Sequence, residues 1–223
     1  MKKIIHKNNA GSWILFLIGL ITGLIFYPRL PQQIPMHFNG AGVVDGYGSP
    51  ITIFLLPGVM LALILLAEIF KNIDPKTKVY AMFPKQYYLI YFLTGLVLLV
   101  IELYIIATSL NIKITNINNI LPFILGVLFI GTGNAMPKFK HNYFVGIRTS
   151  WTLADEDVWF QTHRLGGKIW VAGGIIIILA VFLPNILKFI VLGTVFAVIV
   201  IVPIVYSYVK FREKRESGEE KES

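Results

Sequence analysis

Six apolar runs, each about as long as a bilayer is thick, dominate the chain: residues 10–27, 51–70, 87–109, 119–136, 168–186 and 188–209. A hydrocarbon core of ~30 Å is crossed by roughly 20 helical residues rising 1.5 Å each. Lipid offers no partner for backbone N–H and C=O groups, so a spanning segment must bond to itself. A chain built this way is restricted to an all-α bundle inside a membrane. With 56% hydrophobic and 14% charged residues, it lacks the polar surface of a water-soluble domain, which carries about 25% charged residues. The fourth run is the most dilute, holding Gly126, Gly131, Gly133 and Asn134, and glycine is tolerated at that depth.

The basic residues alternate between connecting segments. Residues 1–9, 71–86, 137–168 and 210–223 hold 17 of the 20 Lys and Arg, while the intervening loops hold only Arg29, Lys113 and Lys188. Basic loops stay in the cytoplasm, so six spans with both termini cytoplasmic is the topology expected in a cell membrane. The net charge of +8 is then a matter of orientation, and no direct contact with nucleic acid is expected. The chain has no cysteine, which excludes disulfides and thiolate metal sites. Lys2, Lys3 and Lys7 precede the first run, but no small-residue cleavage site follows it, so that span is expected to be retained. Three regions result: an N-terminal helical hairpin over 1–70, a four-helix membrane domain over 71–209, and a charged tail over 210–223 expected to be disordered.

Two connecting segments stand out. The outer one, PRLPQQIPMHFNGAGVVDGYGSP over residues 28–50, is rich in Pro and Gly. Its prolines favour an extended start, and Asn39, Gly40, Gly42, Asp45, Gly46 and Gly48 supply turns. An ordered cap over the helix ends is expected. The inner segment, over 137–168, offers Thr152 as an N-cap with Asp155, Glu156 and Asp157 in the first turn. Gly166-Gly167 is expected to stop that helix, leaving a short helix at the inner face flanked by Trp151, Trp159 and Trp170 at the boundary.

Few side chains suggest chemistry. Glu102 lies inside the third run, about 22 Å along the helix from Tyr87. An ionisable group at that depth is a functional candidate, and Lys113 is a partner within reach. Glu68 reads as an interfacial carboxylate near Lys71. His37 and Asp45 are too few for a metal site, and His163, next to Arg164, suits the end of a helix. Arg148 with Thr149 and Ser150 could hold a phosphate or a lipid headgroup. No zinc-protease, phosphate-loop or serine-elbow motif is present, so neither an enzyme nor a cofactor is expected.

Both unusual segments carry a resemblance. The outer one resembles the P-x-x-I-P-x-H-[FW]-N-x-x-G-x-x-D-G-[YW] stretch of the SdpI immunity-protein family. The inner one, GNAMPKFKHNYFVGIRTSWTLADEDVWFQTHRLGG, resembles that family's second hallmark, G-N-x-M-P-K-x-K-x-N-Y-x-x-G-I-R-T-x-W-T-L through V-W-x-x-T-H-R. Ala135 stands where members often carry an aromatic, and Ser150 where they often carry Pro. The resemblance implies a bacterial multipass protein that protects against a secreted peptide toxin. It also implies a receptor role, holding a small winged-helix repressor at the membrane. Carried over, the first motif falls on Pro35, His37, Asn39, Gly42, Asp45 and Gly46, which would face the toxin. The second falls on Asn142, Tyr143, Gly146, Ile147, Arg148, Thr149, Trp151, Thr152, Trp159, His163 and Arg164, which would face the repressor or carry a conformational change.

Overall fold

The computed structural model describes residues 4–222, so Lys2 and Lys3 of the basic start lie outside it. Its helices are α1 (Ala10–Phe26), α2 (Leu55–Ile73), α3 (Pro84–Ser109), α4 (Ile117–Ala135), α5 (Ser150–Ala154), α6 (Glu156–Leu179) and α7 (Asn185–Glu222). Among the described residues, six of these are long and apolar enough to cross a membrane, α5 being the exception. Apolar side chains such as Ile14, Ile21, Leu24, Ile186 and Ile201 face outward, as a lipid-solvated bundle requires.

Residues 28–49 do not remain a string of turns. Ile34–Phe38 (β1) and Val44–Gly48 (β2) pair antiparallel, with a bulge where His37 faces Gly46. This hairpin sits on the end of α3: Ile34 is fully buried with Ile53, Ile105 and Ile106, and Phe38 meets Tyr104 edge-on. The hairpin marks one end of the bundle. The other end, called here the loop end, gathers residues 4–9, 71–83, 137–155 and the last turns of α7, joined by contacts such as His6 to Glu68, Lys76 to His141 and Lys214 to Asp157.

Three sequence expectations need correction at the loop end. The inner segment does not carry a helix that stops at Gly166-Gly167. Thr152 is not the N-cap: Thr149 caps the five-residue α5 through a reciprocal bond with Thr152, and Asp155 caps a second helix, α6, which runs on into the membrane. The glycines fail to stop it because they lie against a neighbour: a Cβ on Gly167 would meet the Gly133 carbonyl oxygen at 2.7 Å. One heptad along, a Cβ on Gly174 would meet the Gly126 carbonyl at the same 2.7 Å. Paired glycines thus let α4 and α6 pack backbone to backbone, as small residues do in membranes. The tail is also not disordered where it is described, since α7 continues to Glu222. Lys214 anchors it, 2.7 Å from both Asp155 and Asp157.

Two prolines inside helices show how the bilayer's demand for backbone partners is met. Pro122 has no N–H to give the Asn118 carbonyl, and the Lys188 ammonium of α7 donates to that oxygen at 3.2 Å. Pro203 likewise frees the Ile199 carbonyl, which accepts from the Trp170 indole of α6 at 3.2 Å. Each proline's missing hydrogen bond is therefore replaced by one between helices.

Candidate functional site

At the hairpin end, the first motif is mostly a device for building the turn. The Asn39 side chain accepts from the backbone N–H groups of Ala41 and Val43. Gly42 has φ +75°, and any side chain there would strike Asn116. Asn116 and Asn118 at the start of α4 donate to the carbonyls of Ala41 and Gly40, which pins the hairpin across α3 and α4. Gly46 is needed because the His37 Cβ lies 2.9 Å from where its own would be. Pro35 is buried in β1. The motif residues free to meet another molecule are His37 and Asp45, paired at 2.5 Å on the exposed face.

At the loop end, the second motif divides in the same way. Asn142 is fully buried and ties the loop to itself: its carbonyl accepts from the N–H groups of Phe144 and Val145, and its amide donates to the carbonyls of Lys140 and Val145. Trp159 is fully buried and donates to the Phe139 carbonyl at 3.0 Å. His163, expected near a helix end, instead lies in the core. It stacks on Trp159 at 4.0 Å, donates from Nδ1 to the Trp159 carbonyl, and accepts at Nε2 from the Ile147 N–H. That contact leaves no space for a side chain at residue 146, and Gly146 meets it with φ +122°. Thr152 is buried and accepts from the Thr149 N–H while donating to the Ile147 carbonyl. Thr149 also meets Ser207 of α7, and Trp151 packs on Tyr208. Tyr143, Arg148 and Arg164 remain exposed.

Sequence reasoning missed the group that holds this loop down. Asp74, only 1% exposed, accepts from the Tyr80 hydroxyl at 2.6 Å, the Tyr143 N–H at 2.9 Å and the Lys76 N–H at 2.6 Å. Tyr80 also reaches Asn142. Burial and the adjacent Asp74 push the Tyr80 phenol well above its ordinary value, so it stays a donor. Glu68 was expected at an interface, and it is the centre of a second group with His6, Asn9, Lys71 and Tyr88. Both groups stitch the 71–83 segment and the N-terminus to the rest of the loop end.

His141 is expected to make this end sensitive to acid. Burial and the nearby Lys76 ammonium, 2.7 Å from Nδ1, hold its pKa below the usual 6.5. The folded state therefore keeps the ring neutral where the unfolded chain would bind a proton. The stability it contributes is complete above about pH 6.5 and is lost as pH falls through the lower folded value. Thermal melts in detergent should show the midpoint falling between pH 7.5 and 5, and His141→Gln should reduce that slope. An identical slope in the variant would show that other groups dominate.

Glu102 is brought to neither motif. It is fully buried in the hairpin half of α3, against Gly19 and Gly23 of α1 and near Phe54. Among the described residues, neither of its oxygens has a hydrogen-bond partner, and the expected pairing with exposed Lys113 does not form. Gly19 and Gly23 are four residues apart, and they clear space for a carboxyl group rather than for a second helix.

The molecule is thus a multipass helical membrane protein with a short β-hairpin at one end and a tightly knit loop at the other. Residues 14–61, which contain the hairpin, match a domain of unknown function, DUF1648, and residues 138–207, which contain the knit loop, match the SdpI/YfhL protein family. The chain is 31% identical over 172 residues to the immunity protein SdpI of Bacillus subtilis, covering 77% of this chain and 80% of that one. It belongs to the SdpI family. No solved structure matches it.

Proposed function

We propose that this protein is a membrane immunity protein, with the hairpin outside the cell and the loop end in the cytoplasm. The orientation is supported by the sequence's alternation of basic residues, 17 of the 20 falling in 1–9, 71–86, 137–168 and 210–223, and by the positive-inside rule. The hairpin presents His37 and Asp45 to a secreted peptide toxin, and the loop end presents Arg164 and Tyr143 to a small winged-helix repressor. The observation that carries this reading is that the two matched segments lie at opposite ends of one bundle, each leaving motif residues exposed, His37 and Asp45 at one and Tyr143 and Arg164 at the other. For toxin to recruit a repressor, it must bind the repressor-competent arrangement better than the other one.

The test is expression in a toxin-sensitive host, with survival and membrane retention of the repressor scored separately. Arg164→Glu is expected to abolish retention and leave survival intact, whereas His37→Ala is expected to lower both. If Arg164→Glu abolishes survival while retention persists, the assigned division of labour is wrong.

Glu102 favours a second reading, a small exporter with a polar path through the bundle, because a buried carboxyl without a partner is costly to keep. Glu102→Gln separates the two. An exporter loses protection with this change, while a receptor that sequesters toxin keeps it.

A further inference from the structure

On either side of α3, helices α2 and α4 leave a cleft that opens beside the knit loop. Its volume is about 500 Å³, inside the roughly 300–1,000 Å³ range of small-molecule sites. Leu63, Leu128 and Phe129 wall its deeper part, and Tyr91, Phe144 and Ile147 stand near the loop. Thr94 and Thr132 also line the cleft.

Next to Ile147 comes Arg148, whose guanidinium is exposed, donates to the Tyr143 carbonyl at 2.7 Å, and is close enough to act electrostatically on Tyr91. Among the described residues, no carboxylate pairs with it. An Arg fork beside an apolar slot suits a phosphate attached to a hydrocarbon chain.

We propose that this cleft binds one anionic phospholipid, with an acyl chain between α2 and α4 and the phosphate at Arg148. A hydrophobic peptide fits less well. One helical turn with its side chains is a cylinder about 10–12 Å wide and 5.4 Å tall, so the cleft would hold about a single turn. Basic pockets between helices at a membrane face are suited to anionic headgroups.

The full-length chain, purified in detergent, can be mixed with phosphatidylglycerol or phosphatidylcholine of identical acyl chains and bound lipid counted by native mass spectrometry. Phosphatidylglycerol should be retained about tenfold more strongly, a difference of about 1.4 kcal/mol. Arg148→Gln should bring that ratio close to one, and Leu128→Trp, which fills the slot, should lower retention of both lipids. Thr94→Phe serves the same purpose if Leu128→Trp does not fold. Inorganic phosphate at millimolar concentration should not displace the lipid. Equal retention of the two lipids by the unaltered protein overturns the proposal, as does a preference that survives Arg148→Gln. Undiminished lipid in the filled cleft overturns it too, as does displacement by free phosphate or by an apolar helical peptide.

Discussion

Gly167→Val is expected to remove most of the folded protein from the membrane. A Cβ at this position would lie 2.7 Å from the Gly133 carbonyl oxygen and 3.0 Å from Pro137. Backbone cannot swing aside as a flexible side chain can. The helices would have to separate along their length, which also loosens the second glycine pair, Gly126 and Gly174. Overpacking a close-packed site costs about 1–3 kcal/mol even where side chains can adjust, and this site has backbone on both faces, so a larger loss follows. Fluorescence-detected gel filtration after heating gives the midpoint directly. Gly58→Ala is the matched control, since nothing lies within 4 Å of a Cβ there; it should melt at or slightly above the unaltered temperature, as Ala favours helix over Gly. If Gly167→Val melts within a few degrees of that control, the backbone seam between α4 and α6 is not what holds the bundle.

The second large effect belongs to Trp159. Trp159→Ala should cost about 3–5 kcal/mol, as large-to-small changes of buried aromatics do. Its indole is fully buried, supports the stacked His163, and satisfies the Phe139 carbonyl. Loss of the ring should therefore also release the Gly146–Arg148 stretch held by His163. Trp159→Phe keeps a ring in place and forfeits mainly the N–H donor, so about 1–3 kcal/mol is expected. Chemical unfolding of the purified variants would show this graded pair. Equal, small effects from both would mean that Trp159 is not a core residue, and its place in the motif would then have to be explained by a partner.

The spans were legible because a bilayer reduces the problem to length and hydropathy. The alternation of basic residues supplied an expected orientation by the same simple physics. What sequence reasoning misjudged lay where the solvent changes. Gly166-Gly167 reads as a helix stop in water, but between helices in lipid it becomes a packing surface, and α6 runs straight through it. The hairpin went unseen as strands because residues 34–48 hold Pro35 and four glycines, and its pairing is fixed by Asn39, Asn116 and the burial of Ile34 rather than by strand propensity. Asp74 and Tyr80 carried no pattern at all, since an acid in a polar loop looks like solvated surface until the fold closes over it. Motif resemblance marked segments that match the family models but could not separate their buried residues from their exposed ones. Asn142, Thr152, Trp159 and His163 are buried, whereas Tyr143, Arg148 and Arg164 are exposed.

The continuous length of α7 gives the protein a property that a flexible tail would lack: a fixed angular phase. Its 38 residues make a rod of about 57 Å, nearly twice the ~30 Å hydrocarbon core. Each residue along it turns about 100°. Lys214 can meet Asp155 and Asp157 only because the spacing from the membrane-buried part of α7 brings it round to that side. Twisting α7 within the bilayer would swing Lys214 away from both carboxylates at once, so the pair of aspartates acts as an index mark that records the rotation of a helix whose other end lies beside Asn119.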